Sequence, residues 1–512
     1  MKKLLLIFLI LSFSHAFSQD WPVKRLITER LNRNASFLSI PAFQFVGNRA
    51  MESLGTYQEV QLSKTFITKL MTQKPEAIQI TVPISNSQSI TCQLVKSDMG
   101  NIKFTENDNQ IISNIRMPVA YHGIVVGKQE KNSVILTVND DYISLVAVAA
   151  DRTLQITKAD ATNPFTYRLY NSTLIRLPAA TFDCGTKESY PSQTPNGISL
   201  NGVVNRTDTL RNKCVNVFVD CFDSLFQWRG SSQQQTVNYV IELFNLVATG
   251  YLNDSINTRL IGINIWTSQD PYRQDTKANA LEDLGSHYKD NFWGNICVGL
   301  DYTVGLGGLA WVAKAKAVLP NTCPMYESNQ SSGAFSYCDL NFDGNLQNFP
   351  TGPNATQGQV AVMMHEMGHQ LGAHHTHWCG WQLTSSTTGA IDNCAPVEGS
   401  CMPGPPPTAA GGSIMSYCHL ATNNSFIDYR NGFGTLPGNA IRNFVDQTSC
   451  ISNCVNCTTF LRPQPQKSKQ RFAREQSLLS QNRPFTFSTA LLHHTALAPV
   501  PVVRKQPIFV SF

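Results

Sequence analysis

With 512 residues, 42% of them hydrophobic and 15% charged, the chain has enough apolar side chains for two or three packed cores, which excludes a disordered protein. Its net charge of +5 gathers at one end: residues 458–512 carry eight basic side chains against Glu475 alone, so everything before them sums to −2. A basic tail on a nearly neutral body makes little case for a nucleic-acid-binding fold.

The chain opens on Lys2 and Lys3, an apolar run from Leu4 to Phe13, and small residues at Ala16 and Ser18 before Gln19. This is the pattern of a cleavable export leader over 1–18. The run is too short to span a bilayer and no later stretch is long enough, so no transmembrane segment is expected. Export places the protein outside the cytosol, where its fourteen cysteines can form a disulfide framework.

Residues 19–205 alternate short β-type runs with polar turns, as in "AIQITVPI", "SVILTVNDDYISLVAVAA" and "LQITKA", and predict a β-rich domain. Only Cys92 and Cys184 lie there. Twelve cysteines fall between 214 and 457, an even number that could close six bridges without outside help.

From 206 to 457 the pattern changes. "CVNVFVDC" reads as a strand, Val237, Val240, Ile241, Phe244 and Val247 recur at helical spacing, and "RLIGINIW" alternates as a second strand. "DTKANALEDLGSHYKDNF" reads as a helix, with "NICVGLDY" and "GGLAWV" as strands after it. This order predicts an α/β domain. "DLNFDG", with Asp339, Asn341, Asp343 and Gly344, matches the first half of a calcium loop, but Pro350 stands where an EF-hand places its glutamate, so calcium is weakly supported and a polar turn is the better reading.

The segment from Gln357, "QGQVAVMMHEMGHQLG", carries apolar residues at helical intervals and stops at Gly372. His365 and His369, four residues apart, project from one face and can hold one metal ion. Glu366 lies beside that position, close enough to take a proton from water without being a ligand. A turn at Gly372 lets His375 return as a third nitrogen donor, leaving a fourth tetrahedral position open as catalytic zinc requires. His374 is a minor rival for that third place, and His377 reads as a loop residue. The tail over 458–512, basic and interspersed with prolines, reads as a disordered extension, with secretion or surface attachment as the alternative.

The spacing H-E-x-x-H-x-x-G-x-x-H, followed by Met415 in "GGSIMSYC", resembles the zinc signature and Met-turn of the metzincins. The order of "CVNVFVDCFDSLFQWRG", "VIELFNLVATGYLNDSINTRLIGINIW" and "GGLAWV" looks closest to the reprolysin (adamalysin-like) branch. "HHTHWCGW", "IDNC" and "IMSYCHL" resemble secreted reprolysin-like proteases of Bacteroidetes. The resemblance implies an α+β catalytic domain over 206–457 with a mixed twisted sheet and an active-site helix. It also implies a zinc endopeptidase acting on proteins or peptides, with Met415 as an apolar floor under the histidines. Gly308, Leu309 and Ala310 would offer backbone hydrogen bonds to an extended substrate.

Two departures from the branch stand out. Thr376 occupies the position after the third histidine where adamalysins have aspartate. Tyr417, two residues past Met415, is placed like the zinc-ligating, oxyanion-stabilising tyrosine of astacins and serralysins. The resemblance further implies a zymogen in which 19–205 is a prodomain, released by cleavage near Arg206 or Arg211. In it, Cys184 either occupies the open zinc position as a switch or pairs with Cys92. The alternative function is a secreted adhesion or binding module that retains the metzincin fold, against which the intact Glu366 argues, since binding needs no general base.

Overall fold

The structure, a computed structural model, describes residues 21–454 apart from 34, 52–54, 150–151, 160–162, 172–183, 185, 187–211, 290, 304, 306, 313–333, 342–356, 407–410 and 421–426. The export leader at 1–18, Arg206, Arg211, Asp343, Gly344 and the tail from 458 therefore lie outside the described residues. Contacts divide the chain into two units, Met1–Arg462 and Pro463–Phe512, and every described residue belongs to the first.

Alternating side chains in the N-terminal half build β1 (Leu38–Ser39), β2 (Phe43–Met51), β3 (Gly55–Leu62), β4 (Ala77–Pro83) and β5 (Ser89–Lys96). They continue in β6 (Lys103–Glu106), β7 (Gln110–Ile111), β8 (Val119–Val125), β9 (Ser133–Val138), β10 (Ile143–Val148), β11 (Thr153–Lys158) and β12 (Thr166–Asn171). Ten of them form one sheet in the order β1-β4-β5-β8-β9-β10-β11-β12-β3-β2. Its core gathers Val60, Phe66, Ile80, Leu94, Leu136 and Leu145, all essentially buried. Two helices that the β-type reading passes over, α1 (Pro22–Asn32) and α2 (Lys64–Gln73), complete the region.

The C-terminal half supplies β13 (Cys214–Cys221), α3 (Asp223–Trp228), α4 (Gln233–Asn253), β14 (Asn257–Ile265), α5 (Lys277–Tyr288), β15 (Ile296–Asp301), β16 (Gly308–Ala310), β17 (Phe335–Asp339), α6 (Gln357–Gln370) and α7 (Thr435–Gln447). Ser232 caps α4 and Thr276 caps α5, each accepting a hydrogen bond from the backbone N–H three residues on, as orphan N–H groups at a helix start demand. Strands β13, β14, β15 and β17 run parallel, while β16 pairs antiparallel with β17 at one end. The result is the mixed α/β sheet the pattern predicts, with "GGLA" on its edge.

At the other end of this sheet stands a hairpin from the first half of the chain, β6 and β7, with β7 outermost. β6 leaves the N-terminal region and pairs parallel with β14, Gly262 to Ile265 facing Lys103 to Glu106. At its turn, the Asp108 carboxylate meets His287 and accepts a hydrogen bond from the Tyr288 hydroxyl at 2.6 Å, and that hydroxyl also reaches Asp220 at 2.9 Å. The two halves meet again along α4, which is buried on both faces. One face is apolar; the other sets Asn238, Glu242, Asn245, Thr249 and Asn253 at helical spacing. From it, Asn245 Nδ2 donates to Thr137 Oγ1 at 3.1 Å and Asn253 Nδ2 to Ser133 Oγ at 2.7 Å. Among the described residues, no helix is long and apolar enough to cross a membrane.

The six bridges that the even count within 214–457 allows are not all formed. Cys214–Cys454, Cys379–Cys401 and Cys394–Cys418 are disulfides, and Cys450 is also bonded. Cys221, Cys297 and Cys338 are free and buried on β13, β15 and β17, where they pack as small apolar side chains. Cys92 and Cys184 are likewise free and buried, so the Cys92–Cys184 bridge is not formed.

Candidate active site

Helix α6 carries its histidines on a segment buried from Val360 to Leu371. Its end is set by Gly372, whose φ of 91° lies in the left-handed region that side chains with a Cβ avoid. The Ala373 N–H then reaches back to Gly368 O at 3.0 Å, and the chain turns toward His375.

The three histidines converge through Nε2. His369 Nε2 stands 3.1 Å from both His365 Nε2 and His375 Nε2. Each Nδ1 is engaged elsewhere: His365 with Ile414 O, His369 with Ala373 O and His375 with Glu398 Oε1, all at 2.8 Å. Acceptors at every Nδ1 place the ring proton there and leave three Nε2 lone pairs facing one another. Burial, then the neighbouring His375, hold His365 and His369 well below the ordinary imidazole range, which keeps them in the neutral form that binds metal. Facing lone pairs repel unless a cation lies between them, and nitrogens held tetrahedrally about 2.0–2.1 Å from one zinc stand roughly 3.3 Å apart. The donor set fits a zinc ion.

Cys184 completes this cluster. Its Sγ lies 3.6 Å from His369 Nε2 and 3.6 Å from Glu366 Oε2, and with the three histidines it forms a buried group able to hold a metal ion. Burial and then the charge of Glu366 push the Cys184 thiol well above its usual range in the metal-free arrangement. Cys184 and Thr186 both lie against β16. Cys184 bridges Gly308 in parallel register, and Thr186 Oγ1 stands 3.2 Å from both Ala310 N and Ala310 O. The Tyr417 hydroxyl donates to Cys184 O at 2.7 Å, with its ring 4.9 Å from that of His375.

Glu366 is wholly buried against β16. A Cβ on Gly308 would stand 2.1 Å from Glu366 Oε1 and 2.6 Å from Cδ, so only glycine lets the strand approach the carboxylate this closely. Gly308→Ala is therefore expected to displace Glu366 and lower peptide hydrolysis by about 10²-fold, the usual effect of an ångström-scale misplacement. Steady-state kinetics on a variant with a wild-type melting temperature checks this, and an unchanged rate would refute it.

Met415 is fully buried between two ties to the site: Ile414 O receives His365, and Met415 O accepts the Thr376 N–H at 3.1 Å. Thr376 thus anchors to the Met-turn through its backbone. His374 is not at the cluster; its ring stacks on Trp378 at 3.8 Å. His377, read from sequence as a loop residue, is buried and stands 3.3 Å from Glu398. Glu398 has no place in the motif: it lies 23 positions beyond His375, inside the loop closed by Cys379–Cys401, and no periodicity points to it. Burial works against its charge, but the hydrogen bonds with His375 and His377 outweigh this and hold it at about 2. In the candidate calcium loop, Asp339 accepts hydrogen bonds from Thr303, Gly305 and Asn341, as a turn-forming side chain does.

A helix bearing H-E-x-x-H, a left-handed turn, a third converging histidine and a buried Met-turn, all beside a mixed sheet with an antiparallel edge strand, are the features that the resemblance to metzincins leads one to expect. Residues 211–427 match the family model of Reprolysin_5, metallo-peptidase family M12, and this region is reprolysin-like. Among solved structures, the chain is similar to metalloproteinase-II from Bacteroides fragilis at 12% identity, covering 60% of this chain and 85% of that one, with a TM-score of 0.34. It is also similar to a structure of a chaperone-substrate complex at 10% identity, covering 73% and 58%, with a TM-score of 0.27. No curated protein matches the chain.

Proposed function

We propose that the protein is a secreted zinc-dependent endopeptidase made as a zymogen. The observation that carries this reading is the meeting of three Nε2 lone pairs and the Glu366 carboxylate at one buried place, in a region matching a metallopeptidase family. His365, His369 and His375 would hold the zinc, which when bound supplies Lewis acidity toward a water molecule and the scissile carbonyl. Glu366 takes the proton of the attacking water and returns it to the leaving amine, so no covalent intermediate with the protein is needed. The backbone of Gly308, Leu309 and Ala310 aligns an extended peptide as an added strand.

In the zymogen Cys184 and Thr186 occupy that edge, and Cys184 Sγ would supply the fourth donor to a bound zinc, as a thiolate. This arrangement accounts for Tyr417: its hydroxyl is held by Cys184 O and becomes available to the substrate oxyanion once Cys184 leaves. The polar face of α4 supports a separable N-terminal region, because Asn245 and Asn253 can exchange their partners for water. The signal-like leader supports export, and the tail over 458–512 is a candidate for surface attachment.

One zinc per chain is expected by elemental analysis, with peptide cleavage after processing near 205 that a chelator abolishes and added zinc restores. Cleavage insensitive to thorough metal removal would rule out the metallopeptidase mechanism. Zinc bound without cleavage by the processed protein would instead favour a binding module on the same fold.

A further inference from the structure

The three imidazoles are not held alike. His365 and His369 belong to α6 and donate Nδ1–H to backbone carbonyls, Ile414 O and Ala373 O. His375 lies past the left-handed turn at Gly372, where the helix no longer fixes its direction, and it alone donates to a carboxylate, Glu398 Oε1 at 2.8 Å. An anionic acceptor both orients the ring and strengthens the donation from its other nitrogen. Where the resemblance leads one to expect an acidic neighbour, the chain has Thr376, whose side chain sits 3.5 Å from Met415 O.

Glu398 is itself secured. Its N–H donates to His377 O at 3.0 Å and its carbonyl accepts from Cys379 N at 2.9 Å, which locks it to the 377–379 segment on both sides. The Cys379–Cys401 disulfide closes the same loop. His377 Nε2 approaches the same Oε1 at 3.3 Å, while its ring stacks on His375 at 4.9 Å with only 9° between planes. Tyr417 packs against both rings, 4.9 Å from each. Two histidines therefore share one carboxylate oxygen, one histidine facing the metal site and the other not.

We propose that Glu398 is the positioning residue for the third metal ligand and that His377 is its brace, so that the disulfide-closed 379–401 loop sets how tightly the site retains its metal. This rests on the reading of His365, His369 and His375 as a zinc site. Glu398 keeps 22% of its side chain exposed and belongs to the disulfide-closed loop, outside the clusters of buried apolar side chains.

The test uses the full chain, stripped of metal and titrated with zinc against a chromophoric chelator, with melting of the zinc-free chain recorded in parallel. Glu398→Ala is expected to weaken zinc binding 10- to 100-fold, the usual effect of losing an acceptor behind a ligand histidine. Glu398→Gln, which keeps an oxygen acceptor, should weaken it less. His377→Phe, which keeps a stacked ring but loses Nε2, should shift it in the same direction by less than Glu398→Ala. The zinc-free melting temperature should stay at the wild-type value throughout. Equal zinc affinity in all four proteins overturns the proposal, as does a loss of affinity accompanied by a lower zinc-free melting temperature, which would make Glu398 a fold residue only. A wild-type chain that takes up no zinc overturns the metal reading itself and this proposal with it.

Discussion

Glu366→Ala is expected to lower peptide hydrolysis by the processed protein by about 10²–10⁴-fold, the contribution of a positioned general base, while zinc content stays at the wild-type value. The dissociation of the two readouts follows from geometry. Glu366 touches Cys184 Sγ and packs under Gly308, whereas each histidine is oriented by a partner of its own: Ile414 O, Ala373 O or Glu398. Removing the carboxylate leaves the three nitrogens in place. Elemental analysis beside initial rates on a mixed peptide library decides the matter. A variant retaining appreciable activity would remove Glu366 from the mechanism, and one that lost its zinc would make Glu366 part of the metal site.

Cys184→Ala is expected to release activity in the unprocessed full-length chain. The substitution removes a donor that reaches the histidine cluster but leaves the Cys184 O hydrogen bond to Tyr417 and the Thr186 contacts with Ala310. If the lost tie is worth about 1.4–2.8 kcal/mol, the open population rises roughly 10- to 100-fold. Thr186→Ala should act in the same direction more weakly, since one exchanged hydrogen bond is worth about 0.5–1.5 kcal/mol. Rates before and after limited proteolysis provide the reading. Were the full-length Cys184→Ala protein as inactive as the wild type, with both equally active after cleavage, the N-terminal region would block the groove by its bulk rather than by its cysteine.

What the sequence by itself determined about the site has local spacing. A spacing of four positions from His365 to His369 places both on one helical face, and Gly372 marks the end of that helix, whatever surrounds it. The alternation in "RLIGINIW" and the helical spacing from Val237 to Val247 likewise dictate β14 and α4. Even the edge position of "GGLA" followed from the order of elements that resembles the reprolysin branch.

Only the tertiary structure decided what depends on chain segments far apart in sequence. The approach of Cys184 to His369 spans 185 positions, and the pairing of β6 with β14 joins Lys103 to Gly262 across the halves of the chain. Nothing in "IKFTE" records that partner, because a strand's side-chain alternation specifies which face is buried and not which neighbour it bonds. Cysteine counting failed for a related reason: a count does not record which cysteines the fold brings together, and Cys221, Cys297 and Cys338 stay free on core strands. Glu398 is the clearest case. A carboxylate behind a ligand histidine needs only to be 2.8 Å from one nitrogen, and a disulfide-closed loop can deliver it there from any position along its length.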